Sequence, residues 1–138
     1  MRTDLARIAI AAALSFATLP AAACGFCDED RVAAVFDQSV VTRAVARRNV
    51  VAFLSMEGEV PVNAATARAI LAALEAGGGV RGSARVALEN AACSIAYDPS
   101  RTRLASLIAK ADRLLAARGI TLKALRVTGP DGGLKEPD

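Results

Sequence analysis

The chain has 138 residues, a length for one domain, and 54% of them are hydrophobic. It contains no His, which removes the commonest general base and metal ligand, and with them most hydrolase triads and most zinc sites. The net charge is only +3, the Arg residues are dispersed, and there is no Trp and one Tyr, so the footprint of a nucleic-acid binder is missing.

The first 23 residues read as a secretory signal peptide, residues 1–23. Arg2 and Arg7 form a positive start, Ile8 to Leu19 an apolar run, and Pro20-Ala21-Ala22-Ala23 a small-residue cleavage site. The run is shorter than the roughly 20 apolar residues a spanning helix needs. Export is therefore expected, to the periplasm of a bacterium. Ala21-Ala22-Ala23-Cys24 also resembles a lipobox, though without the Leu usual three residues before the cysteine. Lipid on Cys24 would anchor the chain and consume its thiol, and membrane contact is expected only in that case.

About 115 residues remain after cleavage, enough for one modest core. They begin at or just before Cys24-Gly25-Phe26-Cys27. Asp28 is a fitting N-cap, with Glu29 and Asp30 in the first turn. Val32, Val35, Phe36, Val40, Ala44 and Val45 follow at helical spacing, so residues 24–49 read as a Cys-x-x-Cys motif and one leading helix reaching about Arg48. Val50 to Met56 is apolar on both alternating faces, the pattern of a strand covered on both sides. Asn63 caps a second helix carrying Ala67, Ile70, Leu71 and Leu74, which Gly77-Gly78-Gly79 stops.

Ser83 to Glu89 and Cys93 to Asp98 read as a hairpin around Asn90. Ser100 or Thr102 starts a third helix with the stripe Leu104, Leu107, Ile108, Ala111, Leu114 and Leu115. Ile120 to Val127 is a last strand, and residues 129–138 form a polar Pro/Gly tail expected to be flexible. The order is a helix followed by βαββαβ. The expected class is α+β: a ferredoxin-like βαββαβ sandwich over residues 50–128 with an additional N-terminal helix. That helix would cover the sheet face such sandwiches leave open.

Val80 and the segments Arg85-Val86-Ala87-Leu88, Cys93-Ser94-Ile95-Ala96-Tyr97-Asp98-Pro99 and Thr102-Arg103-Leu104 with Leu107-Ile108 resemble those of heavy-metal-associated domains. The resemblance spans about residues 50–127. It implies a ferredoxin-like fold and an association with soft metals. The family's metal loop, Gly-Met-x-Cys-x-x-Cys after the first strand, is here Ser55-Met56-Glu57-Gly58-Glu59-Val60-Pro61, without cysteine. Its metal site does not carry over, since fold alone does not confer function.

Cys24 and Cys27 are the candidate ligands. Two thiols at this spacing can hold a soft ion such as Cu(I), cycle as a dithiol and disulfide, or form a structural bridge in an oxidising compartment. Asp28, Glu29 and Asp30 oppose the thiolate-favouring helix dipole. A leading helix of about 20 residues is ~30 Å long. Packed back along the sheet, it would return its start to the far end of the first strand and bring the cysteines near Met56, a weak third ligand. Cys93 reads as a buried apolar side chain. Gly77-x-Gly79-x-x-Gly82 follows a helix and precedes a strand, the reverse of a dinucleotide site. The expected function is soft-metal, possibly copper, binding or trafficking by an exported non-enzyme, its partners a metal ion or a metal-handling protein. The alternatives are a thiol-disulfide protein, or an interaction module with a structural cysteine pair that is lipid-anchored if Cys24 is processed.

Overall fold

The computed structural model describes residues 27–138; the leader and Cys24 lie outside them. Helix α1 covers Asp28–Val35 and α2 Gln38–Ala46. Strand β1 (Val50–Glu57) leads to α3 (Ala64–Ala76), then β2 (Arg85–Ala87) and β3 (Ala92–Tyr97). Helix α4 (Leu104–Leu115), β4 (Thr121–Thr128) and the short β5 (Leu134–Lys135) complete the chain. The architecture is α+β. One five-stranded sheet runs in the order β2-β3-β1-β4-β5, and every neighbouring pair is antiparallel.

Both faces of the sheet are covered, which is why β1 has no polar side. Ala52, Leu54 and Met56 point toward α3 and α4 and join Ile70, Leu74, Ile95 and Leu107 in one core. Val51 and Phe53 point the other way, against Val32 and Val35 of α1 and Val40, Val41 and Ala44 of α2. The strand's period of two divides one sequence between two cores. A shift of register between Phe53 and Leu54 lets β4 serve both. Leu122 and Val127 lie in the α3/α4 core and Leu125 in the other, because the extra residue at a bulge reverses the alternation beyond it.

Four local expectations are corrected. The leading helix is two helices. Phe36 is extended, and the Asp37 carboxylate accepts from the Ser39 and Val40 amides, which starts a new helix. Asp28 is not the N-cap of α1: Cys27 holds that position and Asp28 is the first helical residue. The first hairpin strand shortens to three residues, and Leu88–Asn90 is a 3-10 turn closed by Ala91 at φ 47°. The tail expected to be flexible instead folds back. Gly129 and Gly133 close a turn, and Leu134 and Lys135 pair with Thr128 and Val127. Gly79 also has a structural reason, since a β-carbon there would collide with Ile95.

Candidate functional site

Cys27 is where the described chain and the cysteine motif meet. As N-cap of α1 it is extended, at φ −69° and ψ 155°, and its carbonyl accepts from the Arg31 amide at 3.1 Å. Its half-buried thiol donates to Asp30 Oδ2 at 2.9 Å, a contact that the three-residue separation allows across the first helical turn. That hydrogen bond stabilises the protonated thiol and is the main reason its pKa is raised. The Asp30 amide pulls the other way, while the charges of Asp30 and Glu29 add to the rise. At neutral pH Cys27 is held as a thiol, and a thiophilic ion or an oxidant must displace its proton.

The second expected ligand, Cys24, lies outside the described residues. The third, Met56, is not brought to Cys27. It is 3% exposed and sits in the α3/α4 core, whereas α1 packs on the opposite face of the sheet. The side-chain alternation of β1 sets that direction, and the sheet stands between the two sulfur atoms. Cys93 is fully buried in the same core as Met56, and burial pushes its thiol pKa up to about 12. Among the described residues no group of three or more His, Cys, Asp or Glu is placed to hold a metal ion. None of the helices among them is long and apolar enough to cross a membrane.

Polar ties seat α1 and α2 on the sheet. Ser94 Oγ donates to the Val35 carbonyl at 3.0 Å inside the interface. Arg85 Nε donates to Asp37 Oδ2 at 2.9 Å, linking the α1–α2 junction to the edge strand β2. Arg126 reaches Glu29 at 3.7 Å and Glu136 at 3.1 Å. Sequence reasoning recognised the acidity beside Cys27 without assigning Asp30 as the partner of its thiol. It missed the cap at Asp37; Asp37-x-Ser39 was the available signal.

No family model matches the chain, and no curated protein or solved structure matches it.

Proposed function

We propose that this chain is an exported ferredoxin-like domain, similar to heavy-metal-associated domains, that binds or hands off a soft metal ion through Cys24 and Cys27. Cu(I) is the first candidate, because thiolates select soft monovalent copper. The observation that carries the reading is the position of Cys27, whose half-buried thiol stands at the N-cap of a packed helix, three residues after a second cysteine. The order β4-β1-β3-β2 within the sheet, with α3 and α4 on one face, supports the ferredoxin-like reading. The ligand set is two thiolates, with Met56 kept in the core and playing no part. The role is carriage and not catalysis, and the partner is a metal-handling protein of the same compartment.

The Asp30 hydrogen bond weighs against the thiol-disulfide alternative, because a thiol with a raised pKa is a poor attacking nucleophile at neutral pH. A metal ion displaces the same proton and gains affinity as pH rises. The test is competition for Cu(I) against a chelator, comparing the processed protein with its Cys24→Ser, Cys27→Ser variant. Loss of tight binding in the variant is expected. Equal affinity of the two proteins would overturn the proposal, and a diacylglyceryl mass on Cys24 would overturn the two-thiolate site.

A further inference from the structure

A cleft of about 910 Å3 opens at the end of the sheet where β1 begins and β3 and β4 finish. It is well removed in sequence from both cysteines of the motif, and its size is that of a small-molecule site. Val45, Val50, Leu104 and Val127 give it an apolar lining. Cations stand among these residues. Lys135 pairs with Asp138 at 3.5 Å, and both line the cleft. Arg48 and Arg103 also line it, and neither forms an ion pair with a described residue.

Two independent features point inward at an acceptor. Tyr97 is only 7% exposed, lines the cleft, and its hydroxyl makes no hydrogen bond with any described residue. The ring is packed away while the hydroxyl is not enclosed, so it is free to donate to a molecule in the cleft. Burial, and after it the Asp138 charge, raise its pKa, so it stays a donor at neutral pH. Helix α4 starts at the same place. It is 12 residues long, and its N-cap, Arg103, supplies no side-chain cap, so the first-turn amides of Leu104 and Ala105 are open to an anion.

We propose that this cleft binds a small organic carboxylate with an aliphatic body. Its headgroup lies between Arg103, Arg48 and the first turn of α4, and accepts from the Tyr97 hydroxyl. Its body covers Val45, Val50 and Val127. Asp138, the one carboxylate side chain lining the cleft, is paired with Lys135, while Arg48 and Arg103 have no ion pair with a described residue. This site is independent of the cysteine motif, and its fate does not depend on metal binding.

Tyr97 is the only Tyr and there is no Trp, so intrinsic fluorescence reports on the cleft directly. The probe is octanoate, titrated against the purified protein, with amide NMR shifts locating the site. Saturable binding that shifts residues 97 and 103–105 is expected. Arg103→Ala, at an exposed position, should weaken it by about tenfold, the worth of one charge-assisted contact. Tyr97→Phe, read by NMR, should also weaken it, and octanol and inorganic phosphate should each bind at least about tenfold more weakly than octanoate. Absence of saturable binding, or an unchanged affinity in Arg103→Ala, would overturn the proposal. So would octanol matching octanoate, which would mean an apolar groove only, or phosphate matching it, which would mean an anion site only.

Discussion

The two faces of the sheet solve the same problem with different materials. Against α3 and α4 the contact is almost wholly aliphatic, with Leu54, Ile70, Leu74, Ile95 and Leu107 interlocked and fully buried. Against α1 and α2 the sheet offers Ala92, Ser94 and Ala96 around Phe53. Short side chains there let the two short helices approach closely, and polar ties complete what the smaller apolar contact leaves unfinished. The comparison teaches that the leading segment is held by a few identifiable links, while the α3/α4 layer is held by volume.

The largest effects come from the pair of β1 neighbours that face opposite ways. Phe53→Ala removes the partner that stacks on Phe36 at 6.0 Å, and a cost of about 3–5 kcal/mol is expected. Leu54→Ala, one residue on, is expected to cost about 2–5 kcal/mol. Denaturant midpoints measure both. Limited proteolysis distinguishes them, because Phe53→Ala should expose the Phe36–Asp37 junction to cleavage and Leu54→Ala should not. Equal protection of that junction in both variants would show that the two layers unfold as one.

Ser94→Ala comes next. It leaves the buried Val35 carbonyl without its donor, and a loss of about 1–3 kcal/mol is expected, read as a lower denaturation midpoint. Asp37 gives a pH-dependent link. Its hydrogen bonds from Ser39, then its contact with Arg85, hold its carboxyl well below the usual carboxylate range. A depressed pKa contributes stability that is complete above the ordinary carboxylate value, about pH 4, and that is lost as pH falls toward the folded value. Asp37→Asn should therefore lower the melting temperature at neutral pH and flatten its decline on acidification. A variant with the parent's acid profile would remove Asp37 from the account of this face.

The smallest effect concerns reactivity and leaves stability unchanged. Asp30→Asn removes the carboxylate that holds the Cys27 proton. Alkylation of Cys27 near neutral pH should accelerate severalfold, with an unaltered melting temperature. An unchanged rate would mean that the start of α1 is not what restrains the thiol.

Much of the fold was legible because hydrophobic periodicity is a local record of burial. The strand covered on both sides at Val50–Met56, the Asn63 cap and the aliphatic stripe of α4 were all readable, and the capping bond from Thr66 to Asn63 is present. The covering of the second face by the leading segment followed from the same pattern. The break at Phe36–Asp37 was less visible, since apolar spacing continues across it while the Asp37 cap competes with the helix. The tail was misread because two paired residues carry no periodic signal, and their strand exists only where β4 offers an edge.

The sequence by itself determined the composition of the candidate metal site, two cysteines at a four-residue motif beside three acids, because chemistry and short spacing are local properties. It also determined which residues were fit to be buried. Only the tertiary structure decided where those residues meet. The alternation of β1 carried Met56 into the α3/α4 core and away from Cys27. The convergence of three strand ends with the start of α4 placed Tyr97, Arg48 and Arg103 around one cleft. Contacts between residues tens of positions apart depend on sheet order and register, and neither is written in the spacing of a single segment.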